Sequence, residues 1–129
     1  MFSKYNDNVA AIALGLFLLG IASYVVQLFF TTEAWLAANE INVNATTIAR
    51  VMGSAWLGLG FGLLLTFLNG PDGQKIFFWT LGLAQIATLL VLLYHHLVLS
   101  TVGTADDAAI VSVLTLLFLI GFFRIKSRL

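Results

Sequence analysis

The chain alternates between long apolar stretches and short polar connections. The apolar stretches cover residues 9–30, 47–68, 76–99 and 108–123, and the last predicted span is 104–123. A helix needs about 20 mostly apolar residues to cross about 30 Å of hydrocarbon. The last stretch reaches that length only if its helix begins near Thr104. We interpret the first stretch as a retained helix rather than a signal peptide, because its apolar run is long and Asp7 interrupts the basic leader. The pattern therefore predicts four membrane-spanning helices.

The composition supports a membrane protein and excludes several chemistries. Hydrophobic residues make up 60% of the chain and charged residues 9%, whereas soluble domains carry far more charge. The sequence contains no cysteine, which excludes disulfides, thiolate metal sites and thiol catalysis. Few residues remain outside the stretches, so we expect one domain over residues 1–129, an all-α integral membrane four-helix bundle.

The charges predict the orientation of this bundle. Four crossings place both termini on one side, together with most of the basic residues, which are Lys4, Lys75, Arg124, Lys126 and Arg128. Only Arg50 falls on the other side. Lys and Arg favour the cytoplasmic face, so we expect an up-down-up-down bundle with both termini cytoplasmic. We expect a multi-pass protein, placed in a bacterial inner membrane.

Two connections carry local signals. The sequence Asn69-Gly70-Pro71-Asp72-Gly73 is typical of a turn, because proline presets one backbone angle and the glycines accept positive ones. It predicts a tight hairpin between the second and third stretches. The residues from Thr104 to Asp107 resemble a capping box with aspartate at its last position.

The second stretch is rich in small residues. Ser54, Gly58 and Gly62 are spaced four residues apart, and Gly53 and Gly60 add further small positions. In lipid, helices associate through close backbone approach, which small residues permit. The stripe predicts a tight helix contact, for which we favour a partner helix within the chain. Contact with another protein and a substrate lane along the glycines are the alternatives.

The third stretch carries an arc of polar side chains. At about 100° per residue, Thr88, His95 and His96 lie within roughly 80° of Gln85, whereas Tyr94 points the other way. We expect this arc to face the bundle interior or a partner. Gln85 and Thr88 are the interior polar residues of this arc. Gln85 should hydrogen-bond to a neighbouring helix, and the candidate partners are Ser23, Gln27, Ser112 and Thr115.

A polar cluster is the candidate site. Six residues could converge at the outer end, and they are Arg50, His95, His96, Tyr24, Gln27 and Asp107. Arg50 either extends to the interface or contacts an anion or carboxylate there, with Glu33, Glu40 and Asp107 as possible partners. No acid pair lies within a stretch, and no nucleophile has a base at readable spacing. We therefore expect no catalytic residues, and we favour a non-enzymatic protein over an enzyme.

The histidine pair argues against a resident metal. Adjacent histidines on a helix diverge by about 100° and chelate one ion poorly. Haem with two histidine ligands needs them on facing helices. A single chain has no other histidine to supply the second ligand, whereas a dimer could supply it. A single histidine could ligate a chlorophyll-type pigment, which needs a small residue one turn away to make room. The larger residues Val91 and Leu92 occupy that turn. We expect His95 and His96 to be interfacial and hydrogen-bonded to loops or water. No metal or cofactor is predicted, and a bound lipid or a pigment on either histidine is the alternative.

The second stretch also resembles a known family. Ala49-Arg50-Val51-Met52-Gly53, followed by Leu57-Gly58-Leu59-Gly60, is similar to the Ala-Arg-x-x-Gly…Leu-x-Leu-Gly pattern of small four-helix DoxX-like membrane proteins. The resemblance implies a four-helix bundle with cytoplasmic termini and transfers no activity or ligand. The family's occasional links to quinone-coupled enzymes suggest, by analogy, an accessory subunit.

Three functional hypotheses follow from the sequence. The first is a non-enzymatic accessory or stabilising subunit that packs against a larger membrane complex. The second is a small oligomeric carrier or channel for a lipid-like or small polar molecule. The third is a haem- or pigment-binding protein. The expected partners are membrane lipids and other integral membrane proteins or further copies of the chain, with no nucleic acid.

Overall fold

The fold is helical throughout the part of the chain that the structure describes. The computed structural model describes residues 2–129. Its helices are α1 (Asn8–Phe30), α2 (Thr32–Ala38), α3 (Thr46–Asn69), α4 (Lys75–Leu97) and α5 (Thr104–Ile125). Short 3-10 helices at Phe2–Tyr5 and Val43–Ala45 precede α1 and α3. The expected all-α class is confirmed.

Four helices within residues 2–129 are long and apolar enough to cross a membrane, and these are α1, α3, α4 and α5. The helices α1, α3 and α5 each contain one of the apolar stretches identified in the sequence, and α4 covers its stretch up to Leu97. The helix α4 ends at Leu97, earlier than the apolar run, and Ser100 then adopts a left-handed conformation with φ of 51°. The length of the apolar runs therefore corresponds to the length of the helices.

The expected capping box before α5 is wrong. The N-cap residue is Gly103, and no side chain caps the helix. The Thr104 hydroxyl instead donates to the Thr101 carbonyl at 2.7 Å. A glycine in the left-handed region turns the chain into the helix, so Thr104 becomes the first helical residue rather than the cap.

The helix α1 lies at the centre of the packing. It packs closely against α3 and α5, and α5 also packs closely against α4. Although a turn joins α3 to α4, their backbones do not pack closely along their length. The turn expected at residues 69–73 is confirmed, with Gly70 and Gly73 at positive φ, but the close helix packing expected of a tight hairpin is not found among the described residues. The Phe77 ring lies against Gly62 between these two helices, and such a bulky side chain separates the two backbones.

The core consists of interlocked large and small side chains. Leu14, Phe17 and Ile21 of α1 are buried with Leu63 of α3 and Phe118 of α5. Glycines on facing helices admit these side chains. Gly121 lies against Leu14, and Gly82 lies against Phe118. Close backbone approach of this kind is the main source of helix association in lipid.

A polar contact joins α4 to α5 inside the apolar interior. Gln85 is only 3% exposed, and its Nε2 donates to Thr115 Oγ1 at 3.0 Å and to the Val111 carbonyl at 3.3 Å. Thr115 is one of the four partners that the sequence suggested. Thr88 is half-buried, and its hydroxyl donates within its own helix to the Ala84 carbonyl at 2.9 Å. Gln85 therefore links two helices, whereas Thr88 does not.

The segment before α1 is anchored in the core. Tyr5 is fully buried, its hydroxyl is hydrogen-bonded to the Thr66 hydroxyl, and its ring centroid lies 4.8 Å from that of Phe67. Burial raises the pKa of Tyr5 to about 12, so the phenol is neutral at physiological pH. The segment therefore packs against the last turn of α3.

Arg128 joins three segments of the chain at the same end. Its guanidinium donates to the Asp72 carboxylate at 2.6 and 3.1 Å. It also donates to the Tyr5 carbonyl and to the Lys4 carbonyl at 3.1 Å. The segment before α1, the turn from α3 to α4 and the segment after α5 therefore meet. We call this the terminal end and the opposite end the loop end.

Asp7 performs two tasks at the terminal end. One carboxylate oxygen accepts a hydrogen bond from the Ala10 amide at 2.8 Å and caps α1. Both oxygens accept from Arg124 Nε at 3.0 and 2.8 Å. The hydrogen bond from Arg124 holds the pKa of Asp7 below its usual range, and the Ala10 amide adds to this effect.

The two tasks of Asp7 can be separated by substitution. Asp7→Asn retains a good capping residue but loses the charge, whereas Asp7→Ala loses both. We expect the thermal midpoint in detergent at pH 7 to decrease from the wild type to Asp7→Asn and further to Asp7→Ala. The measurement is circular dichroism. A wild-type midpoint for Asp7→Asn at pH 7 would contradict the ion-pair contribution.

The same variants give a pH dependence. Because the folded pKa of Asp7 is lowered, its ion pair stabilises the fold above the unfolded value of about 3.9, and this stability is lost as pH falls through the folded pKa. We expect the wild type and Asp7→Asn to differ at pH 7 and 5 and to converge only in strong acid. Convergence already at pH 5 would contradict the lowered pKa.

The Gln85 contact predicts a measurable coupling. We expect a double-mutant cycle with Gln85→Leu and Thr115→Val to give a coupling free energy of about 0.6 kcal/mol, the average for hydrogen bonds between membrane helices. Reversible unfolding in mixed micelles provides the free energies. Strict additivity of the two substitutions would show that the contact adds nothing to stability.

Candidate functional site

The loop end is built around the short helix α2. Leu36 of α2 is buried with Leu28 of α1 and Ala49 of α3, which fixes α2 beside both helices. The helix ends in a Schellman motif, in which the Ile41 amide donates to the Leu36 carbonyl at 2.8 Å and Glu40 adopts a φ of 55°. This arrangement satisfies the last carbonyls of α2.

Gly103 brings the loop between α4 and α5 against the end of α2. Its φ is 79°, and a Cβ at this position would lie 2.9 Å from the Asn39 carbonyl oxygen. Only glycine combines a positive φ with so close a backbone approach without strain. The two connections therefore meet at Gly103 and Asn39.

A polar cleft of about 450 Å³ lies beside this contact. Its lining combines two carboxylates, two amides and one indole with small residues, namely Gln27, Trp35, Ala38, Asn39, Gly103, Ala105, Asp106 and Asp107. Asn39 Nδ2 donates to the Trp35 carbonyl at 2.9 Å. Asp106 and Asp107 lie in the first turn of α5, where the helix dipole favours negative charge.

Two of the six predicted cluster residues line this cleft, and Tyr24 lies next to the cleft against Trp35. Gln27 and Asp107 line it directly, and Tyr24 lies within electrostatic range of Asp107. The Tyr24 ring meets Trp35 edge-on with centroids 5.9 Å apart. The Tyr24 hydroxyl donates to Met52 Sδ at 3.8 Å, which is a weak contact.

Among residues 2–129, the side chains of the other three residues form no hydrogen bond or ion pair with this group. Arg50 is exposed, and among the described residues its guanidinium has no ion pair with a carboxylate. His95 Nδ1 lies 3.3 Å from Thr101 Oγ1 in the following loop, and His96 is exposed. The described contacts therefore connect Tyr24, Gln27 and Asp107, and they do not connect the other three residues to them.

Several cleft residues could not be identified from the sequence as members of a site. Trp35 and Asn39 belong to the long connection after α1. In the sequence, the position of Asp106 at the start of a helix is already explained by the helix dipole. Gly103 carried the clearest signal, since a lone glycine before a helix often marks a left-handed turn. The contact of Gly103 with Asn39 joins two segments that are distant in the sequence, so no local sequence pattern predicts it.

The cleft offers hydrogen bonding and negative charge without catalytic geometry. Among residues 2–129, no group of three or more His, Cys, Asp or Glu side chains could hold a metal ion. Within the same range, no hydrogen-bonded series links a hydroxyl to a base and an orienting acid. The carboxylates and amides of the cleft lining are suited to binding a polar group.

The five small residues of α3 fall on different faces of the helix. Gly53 lies against Leu28 and Phe29, Gly60 against Ile21, and Gly62 against Phe77. Around Gly58, by contrast, an added Cβ would meet nothing within 4 Å. Ser54 is also exposed, and its hydroxyl donates to the Arg50 carbonyl at 3.0 Å. Only part of the predicted stripe therefore lies in contacts within the chain.

Comparison with known proteins returned no relative. No protein-family model matches the chain, and no curated protein and no solved structure is significantly similar to it.

The contact between Gly103 and Asn39 predicts unequal effects for two glycine substitutions. Gly73→Ala places a side chain at φ of 73° in open space, so we expect only the conformational cost of about 1 kcal/mol. Gly103→Ala adds a collision with backbone, and overpacking costs about 1–3 kcal/mol more. Unfolding free energies in mixed micelles test this order, and equal losses would contradict the close contact.

Proposed function

We propose that the protein is a non-enzymatic integral membrane protein that packs against another membrane protein as an accessory or stabilising subunit. In this proposal α1, α3, α4 and α5 cross the membrane in alternating directions. The terminal end faces the cytoplasm, because five of the six basic residues in the sequence cluster there and basic residues favour that side. A bacterial inner membrane is the proposed location.

The observation that carries this proposal is the open surface around Gly58. Contacts within the chain account for Gly53, Gly60 and Gly62, but they do not account for Gly58. Glycine in the middle of a helix costs about 1 kcal/mol relative to alanine. A glycine that contacts only lipid has no helix packing to offset this cost. A glycine in contact with a neighbouring helix offsets it, because the two backbones can approach closely.

The position of α3 makes this surface accessible. Among the long helices, α3 packs closely only against α1, so its opposite side faces outward. Ser54 and Ala55 are exposed one turn before Gly58. Their small side chains extend the surface on which another helix can approach the α3 backbone closely. The proposed partner is therefore a membrane helix whose larger side chains fit over Ser54 and Gly58.

The resemblance to DoxX-like proteins supports the same proposal. Gly58 belongs to the Leu57-Gly58-Leu59-Gly60 segment that carries the resemblance. The accessory role in that family is an analogy, and it enters here as a reason to test association with a membrane enzyme.

The carrier and pigment hypotheses receive less support. The carrier hypothesis relied on the region of Arg50, His95 and His96, and among the described residues no hydrogen bond or ion pair joins these three side chains. A pigment would require an imidazole nitrogen that faces a cavity, and neither His95 nor His96 lines the cleft at the loop end. We therefore place both below the accessory role.

Substituting Gly58 tests the proposal directly. Gly58→Leu fills open space on an exposed helix surface, so we expect the isolated chain to be at least as stable as the wild type. It should dissociate the complex, and native gels after mild detergent extraction should show a smaller particle. The matched control is Ala22→Leu, which enlarges a small exposed residue of α1 and should leave the particle unchanged.

Two results would contradict the accessory role. The first is a wild-type protein that is extracted as a lone monomer, with no partner recovered after crosslinking in the membrane. The second is equal particle mass for the wild type, Gly58→Leu and Ala22→Leu, which would show that Gly58 faces only lipid.

A further inference from the structure

The ion pairs divide the basic residues of the terminal end into two groups. Arg124 is paired with Asp7, and Arg128 is paired with Asp72. Lys75 and Lys126 are exposed, and neither forms an ion pair with a carboxylate in the described part of the chain. The arginines therefore serve the fold, and these two lysines present positive charge to the surroundings.

A row of aromatic rings connects the two lysines across the contact between α4 and α5. Trp79 lies one turn after Lys75 on α4, and its ring centroid is 5.4 Å from that of Phe122 on α5. The Phe122 ring lies 5.6 Å from Phe123. Lys126 Nζ lies 5.4 Å above the Phe123 ring centroid. Both lysines thus border a single surface.

This surface is apolar next to its charges. Ile76, Trp79 and Phe123 are 84%, 59% and 57% exposed. We call Lys75, Ile76, Trp79, Phe123 and Lys126 the lysine–aromatic patch. Its two components match the two parts of a phospholipid, since ammonium groups attract a phosphate and exposed aromatic rings at the membrane boundary contact the upper acyl chain.

We propose that the lysine–aromatic patch binds an anionic phospholipid. The lipid phosphate lies between Lys75 and Lys126, and an acyl chain lies over Trp79 and Phe123. Basic sites between helices on the cytoplasmic side recognise anionic headgroups in this way. The inference requires the helices to lie in a membrane with the terminal end at its surface, but it is independent of packing against a partner protein.

The patch contains its own fluorescent reporter. The chain has three tryptophans, so Trp35→Phe with Trp56→Phe leaves Trp79 as the only indole. In phosphatidylcholine vesicles, brominated acyl chains quench the indole that they touch. We expect brominated phosphatidylglycerol to compete for Trp79 about five-fold or more better than brominated phosphatidylcholine, since each lysine contributes roughly a five-fold preference. The preference should decrease at high salt.

Three variants assign the preference to the patch. Lys75→Gln with Lys126→Gln should bring quenching by the two lipids to equality, whereas Lys75→Arg with Lys126→Arg should retain the preference. Lys4→Gln is the matched control, because Lys4 lies beside Gly70 and Arg128 at the α3 side of the terminal end, and it should leave the preference unchanged.

Several outcomes would overturn the proposal. Equal quenching of Trp79 by both lipids, in the chain that retains Lys75 and Lys126, would do so. A preference that survives in the double glutamine variant would also overturn it. Loss of the preference on adding inorganic phosphate at constant ionic strength would assign the site to free phosphate instead. Native mass spectrometry of the chain with all three tryptophans provides a second measurement, in which retained phosphatidylglycerol should be lost from the glutamine variant.

Discussion

Hydrocarbon offers no partners to backbone amides and carbonyls, and this constraint determines most of the structure. A chain that is mostly apolar must satisfy its backbone internally, which within a membrane favours helices. Polar side chains obey the same rule. Ser54, Thr88 and Ser112 each donate to a carbonyl in their own helix, whereas Gln85 reaches across to Thr115. Shape rather than hydrogen bonding therefore supplies most of the contact between helices.

The number, type and approximate bounds of the long helices could be predicted from the sequence, because the length of an apolar run is a local property. The faces on which helices meet could not be predicted so well. Gly58 and Gly60 are two residues apart and chemically identical, yet only Gly60 faces α1, where a Cβ would lie 2.9 Å from Ile21 Cγ2. The rotation of α3 depends on bulky residues of α1, and the spacing of small residues alone does not contain that information.

The two ends of the bundle differ in how completely they are closed. At the terminal end, Arg124 and Arg128 engage both local carboxylates, and only lysines remain for the surroundings. At the loop end, Asp106 and Asp107 border an open cleft. Sequence reasoning identified Gln27 and Asp107 of this cleft, because both lie near the ends of apolar runs. It could not place Trp35 and Asn39, since their positions depend on how α2 folds back against Gly103.

The most direct test of the account is the sidedness of the two ends. Because the chain has no cysteine, single cysteines can be introduced at Asn42, Thr101, Gly73 and Ser127 and labelled with a membrane-impermeant maleimide in intact cells. We expect labelling of Asn42→Cys and Thr101→Cys in intact cells, and of Gly73→Cys and Ser127→Cys only after permeabilisation. External labelling of either Gly73→Cys or Ser127→Cys, or protection of Thr101→Cys, would contradict four crossings with a cytoplasmic terminal end.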